Sequence, residues 1–397
     1  MIMLSQQQRI FFELLRFCIG TVQEVPSSLK GADWRVLYAM ARKQCLVGVL
    51  FDGIKRLPAD VGMDKGLLFQ WMAQNQTLRK ANARLDKAAV EVAEWFGRKG
   101  FRTCVLKGQG NALLYPPGME RTPGDIDLWV DGGDRKVVSF VRSLSPDEKV
   151  CYHHIGFPEY NGVEVEVHFR PSFLFCFRHN RRLQGYYERV MDEQFAHRVK
   201  LGEQGDVAVP KAEFNLIFQL THIFTHLMNE GIGLRQLLDY FFLLKNTNFI
   251  GNTDGVSGNT NGDGFLLNTD CTDNTDKVGG NADGVDRRLL QDELRELGLW
   301  EFAGAVMYIM KEVFGLEDNR LIVPLDVKRG RLVLKEVLEA GNFGQYDKRN
   351  WFGHSALGHN LQRLYRDMRL VRYFPEEALS EPFFRIWHFF WRKRIVR

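Results

Sequence analysis

The chain is poor in the features that would place it outside a cell or in a membrane. Its six cysteines, Cys18, Cys45, Cys104, Cys151, Cys176 and Cys271, are scattered without a Cys-x-x-Cys pair. That spacing excludes a zinc knuckle and is expected of free thiols in a reducing cytoplasm. No apolar run approaches the ~20 residues that a membrane-spanning helix needs. The N-terminal stretch MIMLSQQQRIFFELLRF lacks a basic start and a small-residue cleavage site, so an amphipathic helix is expected there rather than a signal peptide. An excess of one charge is missing too: 53 Lys and Arg against 49 Asp and Glu leave a net charge of +4. A dedicated nucleic-acid binder would carry a more concentrated basic patch. What remains is ordinary for a globular protein, with 45% hydrophobic and 26% charged residues over 397 positions, enough for two or three domains.

Periodicity divides the chain into helical ends and a mixed middle. Ile10, Leu14, Phe17 and Cys18 recur at helical spacing within 5–22, and 32–56 and 65–98 continue the pattern, the last without proline. Gly100 is placed to end that helix. Strands are expected at 101–106, 125–130, near 150–155 and at 163–170, with helices at 109–115 and 134–144. Residues 212–246 return to helix, with Leu216, Leu220, Ile223 and Leu227 on one side. Residues 250–286 repeat Asn-Thr-Asp three times in a field of Gly, Asn, Thr and Asp. Such a composition buries too little apolar surface to offset ordering entropy, so a mobile spacer is expected. Positions 259–264 echo a calcium loop but lack the first Asp and flanking helices. Residues 287–397 read as helical, ending in a basic aromatic helix from Glu381 with Ser380 as N-cap. Packing on the body with a solvated basic tip is the first reading of that helix; membrane or nucleic-acid attachment is the second.

The chemistry is concentrated in residues 105–130, VLKGQGNALLYPPGMERTPGDIDLWV. Alternate side chains of a strand share a face, so Asp125 and Asp127 point one way while Ile126 and Leu128 enter a core. Two carboxylates on one face repel unless a cation lies between them. Hard oxygen ligands suit Mg²⁺, held by one or two carboxylates plus substrate phosphates, which is the logic of a nucleotidyl-transfer site. Farther on, Val163–Arg170 alternates apolar and polar, with Val163, Val165, Val167 and Phe169 on the buried side and Glu164, Glu166, His168 and Arg170 opposite. Paired beside the aspartates, that strand supplies a third carboxylate.

Lys107-Gly108, then Arg121-x-x-Gly124-Asp125-x-Asp127, then Glu166-x-His168 resemble the DNA polymerase β-type nucleotidyltransferase superfamily. Within it, the order is similar to a bacterial nucleotidyltransferase family whose members are mostly uncharacterised. The resemblance spans residues 30–245, is strongest over 105–170, and extends to His222, His226, Arg235 and Asp239. Where the wider superfamily has Gly-Gly or Gly-Ser, this chain has Gly108-Gln109. The resemblance implies an α+β fold, a small mixed β-sheet core at 99–205 with large flanking all-helical regions. The flanks are 1–98, helices at 206–249 that pack on the core, the insertion at 250–286, and 287–397.

It also implies roles. Asp125, Asp127 and Glu166 are the expected metal ligands, Glu166 preferred to Glu164 because it precedes x-His. Glu166 is further expected to help accept the proton of the incoming hydroxyl. His168 contacts substrate, acts as base, or is a structural histidine at the sheet edge. Lys107, Gly108 and Gly124 belong to the phosphate site, where a helix N-terminus offers free N–H groups. Arg121 clamps phosphate or pairs with Asp125. His222 and His226 have zinc-compatible spacing but no evident third ligand, so packing and hydrogen bonds between the helical and catalytic regions are expected. Arg235 and Asp239 form a helix pair or line the cleft. The implied activity is Mg²⁺- (or Mn²⁺-) dependent transfer of NMP from an NTP, by default ATP, with release of pyrophosphate. The acceptor is an unidentified small molecule, protein or RNA. The alternative is a catalytically inactive binding or regulatory protein on the same fold. A cytoplasmic location is expected.

Overall fold

A computed structural model describes residues 4–250, 284–349 and 356–396. The N-terminal helices are α1 (Gln6–Cys18), α2 (Trp34–Lys43), α3 (Val47–Ile54) and α4 (Lys65–Arg98). A mixed region follows: β1 (Thr103–Val105), α5 (Gln109–Ala112), β2 (Ile126–Val130), α6 (Gly133–Leu144), β3 (His154–Tyr160) and β4 (Val163–His168). Next come α7 (Phe177–Ala196), β5 (Arg198–Lys200), β6 (Asp206–Ala208), α8 (Ala212–Asn229), α9 (Leu234–Asn246) and the short strands β7 (Phe249–Ile250) and β8 (Val285–Asp286). The chain closes with α10 (Arg287–Glu296), α11 (Trp300–Glu312), α12 (Val327–Ala340), α13 (Ala356–Leu370) and α14 (Pro375–Ile395). The protein is α+β, a small mixed sheet among helices. The calcium-like stretch and most of the Asn-Thr-Asp insertion lie outside the described residues; β7 and β8 pair in parallel at its two ends.

Local chemistry explains the boundaries. Asp64 caps α4 by accepting from the Leu67 N–H at 3.0 Å, and Gly100 ends it at φ +82° while Phe101 N–H returns to the Phe96 carbonyl at 3.1 Å. The helix expected over 32–56 breaks at Cys45, whose φ of +55° takes the chain out of helical space. The 212–246 helix likewise divides near Gly231 (φ +108°), where a Cβ would meet Ala340 Cβ at 3.1 Å. Helix α5 is one turn, shorter than the expected 109–115. The last helix starts at Pro375, not at Glu381, and Ser380 is not its N-cap: proline at the first position with Glu376 and Glu377 in the first turn begins it earlier.

The four-stranded sheet has order β1-β2-β4-β3, with β2 and β4 parallel and the outer pairs antiparallel. Ile126, Leu128, Val163, Val165 and Val167 are at most 2% exposed and pack on the C-terminal half of α4 and on α6. The alternate face carries Trp129, which meets Phe195 and Phe214 at 4.7 and 5.7 Å between ring centres. Asp127 shares that face by strand alternation, so it is covered by the helical body rather than by water. The terminal helical regions also meet one another: Arg16 Nε donates to the Val313 carbonyl and Thr21 Oγ1 to that of Phe314.

Candidate functional site

The parallel pairing of β2 with β4 sets Asp127 opposite Glu166 and Trp129 opposite His168. The register therefore puts a carboxylate from each strand side by side on the helix-covered face. Asp127 is 3% exposed. Its Oδ1 lies 3.0 Å from Lys107 Nζ and 3.0 Å from His168 Nε2. Glu166 Oε2 lies 3.5 Å from His168 Nε2 and 3.4 Å from His154 Nδ1. Ligand atoms of Asp127, Glu166 and His168 fall within 4.8 Å of one another. Asp125 lines the same cavity as Lys107, Gly108 and Asp127 but stands outside that cluster. Glu164 is exposed.

Charges at this point hold one another ionised. Burial raises the Asp127 and Glu166 carboxyls, yet Lys107, His168 and His154 outweigh it, holding Asp127 below its usual range and Glu166 at about 2. Burial pushes the His168 imidazole down, but hydrogen bonds to Asp127 and Glu166 lift it to about 9, so it is an imidazolium at neutral pH. Its Nδ1 faces the carbonyls of Arg170 and Pro171 at 3.3 Å, leaving both ring nitrogens engaged. Burial also lowers Lys107, and Asp127, Asp125 and Glu166 more than offset it. His154 and His222 go the other way: burial drives His154 to about 4 and His222 well down, the latter helped by Lys107 at 3.1 Å.

The second half of the cavity is held by arginines. Arg121, 6% exposed, forks onto Asp239 through Nε and Nη2, both at 2.8 Å, and Tyr115 donates to the same carboxylate at 2.6 Å. Arg121 therefore pairs with Asp239 rather than with Asp125, and Arg235 does not pair with Asp239. Arg235 Nη1 donates to the carbonyls of Thr122 and Pro123, and its buried Nε has no partner. Gly124 lets that loop lie against Arg235: a Cβ there would sit 3.4 Å from Nη1. Thr122 Oγ1 ties the loop to the Cys45 carbonyl at 2.7 Å, so the unusual Cys45 backbone supports the site. Gly108 adopts φ +56°, ψ −104°, a conformation that side chains oppose.

His222 joins the cavity through Lys107, whereas His226 turns to Glu230 at 2.5 Å. Their rings are 4.2 Å apart, but no metal-ligand cluster among the described residues includes them. Sequence reasoning missed His153 and His154. The dipeptide offers no spacing signal, and only the β3–β4 register, which pairs His154 with His168, brings it to Glu166.

The two carboxylates, rather than the protonated His168, fit a divalent cation. Asp127 Oδ2 is buried without a hydrogen-bond partner, and a Glu166 oxygen lies within 4.8 Å of an Asp127 oxygen. A family model described as an uncharacterised nucleotidyltransferase matches residues 30–254, more than half of the chain. No curated protein and no solved structure matches.

Proposed function

We propose, from the premise that the chain belongs to this uncharacterised nucleotidyltransferase family, that it transfers NMP from an NTP, by default ATP, to a hydroxyl or phosphate acceptor with release of pyrophosphate. The observation that carries the reading is the in-register pair Asp127–Glu166, with one Asp127 oxygen unpartnered. Asp125, Asp127 and Glu166 would hold Mg²⁺ or Mn²⁺, which when bound neutralises charge on the triphosphate and on the attacking and leaving oxygens. Lys107 and Gly108 contact phosphate at the turn after β1, with Gly124 keeping the opposite loop close. Arg121 keeps its charge at the cavity but commits its fork to Asp239, so the phosphate clamp passes to Arg235 with its free Nε. His168, buried with both nitrogens engaged, positions Asp127 and Glu166 rather than moving a proton. Glu166, half-buried at the cluster, would accept the acceptor's proton.

One observation favours the second reading, a binding or regulatory protein without turnover: Lys107 and the His168 imidazolium already neutralise Asp127. Calorimetry of Mg²⁺-dependent ATP binding separates the claims. Asp125→Asn with Asp127→Asn is expected to abolish the Mg²⁺-dependent part, and unchanged binding would remove the metal site. Labelled ATP with cell extract then distinguishes transfer from binding, because a pure binder labels no acceptor.

A further inference from the structure

The last two helices expose an amount of apolar surface that the core does not require. On α14, Leu379, Phe383, Ile386 and Phe390 are 59–68% exposed and recur at helical spacing along one stripe. The opposite side of α14 is fully engaged: Phe384 stacks on Phe173 at 5.2 Å, and Glu377 and Glu381 are buried. On α13, Leu361, Leu364 and Met368 are 40–61% exposed at the same spacing. Arg385 Nη1 donates to Asn360 Oδ1 at 2.8 Å. That tie holds the two helices side by side as a hairpin. The two stripes merge into one apolar face. Phe177, 44% exposed, extends it onto α7 by stacking edge-on with Trp387 at 5.6 Å.

The rim of this face has one sign. Lys393 and Arg394 are exposed at the end of α14, Arg372 at the hairpin turn, and Arg178 and Arg181 after Phe177. Of the acids in residues 356–396, Asp367, Glu377 and Glu381 are buried, and exposed Glu376 is paired with Arg178. An exposed apolar patch of this kind marks an interaction surface. A second copy would bring the same cations face to face. Aromatic and aliphatic side chains inside a cationic rim instead match an anionic lipid surface, where such helices lie in the interface plane. No helix among the described residues is long and apolar enough to cross a membrane, so contact would be along that plane.

We propose that the α13–α14 hairpin, with the start of α7, docks the protein on anionic membrane surfaces. The inference is independent of the reaction. Through Arg170, which lies 5.5 Å over the Trp391 ring and follows β4, the docking helix sits against the same sheet that carries Glu166.

Co-sedimentation of the full chain tests this with vesicles of equimolar phosphatidylglycerol and phosphatidylcholine against pure phosphatidylcholine. Retention is expected on the anionic vesicles only, weakened by added salt. Phe383→Ser with Phe390→Ser is expected to lower partitioning about tenfold or more, because the lost apolar area is what inserts. Both side chains are exposed, so the melting temperature should not move. Lys393→Glu with Arg394→Glu, leaving the apolar stripe intact, should lose the preference for anionic lipid. Equal retention on both vesicle types, or unchanged binding of the Phe383/Phe390 variant, would overturn the proposal. So would wild-type dimers in gel filtration that the phenylalanine substitutions dissociate.

Discussion

Two buried ionic clusters face one cavity, and only one of them is complete. Around Asp239, both carboxylate oxygens are taken: the Arg121 fork donates twice and the Tyr115 hydroxyl once. Around Asp127, a single oxygen serves both Lys107 and His168 while the other has no partner. A completed buried pair holds shape, because removing either partner leaves an uncompensated charge. An incomplete one keeps coordination capacity in reserve, which is what a ligand site needs.

The widest separation of the two should come from stability. Asp239→Ala strands Arg121, which cannot release its proton, and is expected to destabilise by about 3–5 kcal/mol in urea unfolding. Asp127→Asn should lose less, because His168 can drop its extra proton and Lys107 opens onto the cavity. Equal losses would erase the distinction between a structural and a functional cluster.

A third buried cluster sharpens the comparison from the repulsive side. Asp367 faces Glu381, and burial first, then the like charge, raises its carboxyl to about 8. Its folded value lies above the unfolded 3.8. The associated stability is therefore complete below about pH 4 and is lost progressively as pH rises toward 8. Asp367→Asn should flatten that slope, so that the variant gains on wild type as pH rises toward 8 in urea unfolding. A wild-type stability that climbs over this range on account of Asp367 would reverse the assignment. The smallest effect concerns neighbours on β4. Glu166→Gln is expected to weaken Mg²⁺-dependent nucleotide binding about tenfold, worth ~1.4 kcal/mol, whereas exposed Glu164→Gln should change it within error. Equivalent losses would return Glu164 to the site.

Much of this was legible from pattern alone. Alternation in Val163–His168 and Ile126–Val130 reflects one sheet face packed in an apolar core and the other carrying the polar cluster, and every apolar position so identified is in the core. The Lys107, Asp127 and Glu166 constellation was readable because local spacing places each residue at a strand or strand end. Boundaries were less legible where backbone conformation departs from residue preference, as at Cys45, or where an early proline starts a helix, as at Pro375. Partners distant in the chain left no trace: Asp239 lies 118 residues from Arg121, and neither carries a local signal for the other.

The order of residues determined which side chains are able to ionise and which alternate inward, since these depend on neighbours in the chain. Tertiary packing alone decided that β4 lies parallel to β2 with Asp127 against Glu166, that His154 and His222 join them, and that Arg121 is committed while Arg235 is not. Those outcomes depend on register and burial between distant segments, where a shift of one residue would turn every carboxylate to the other side of the sheet.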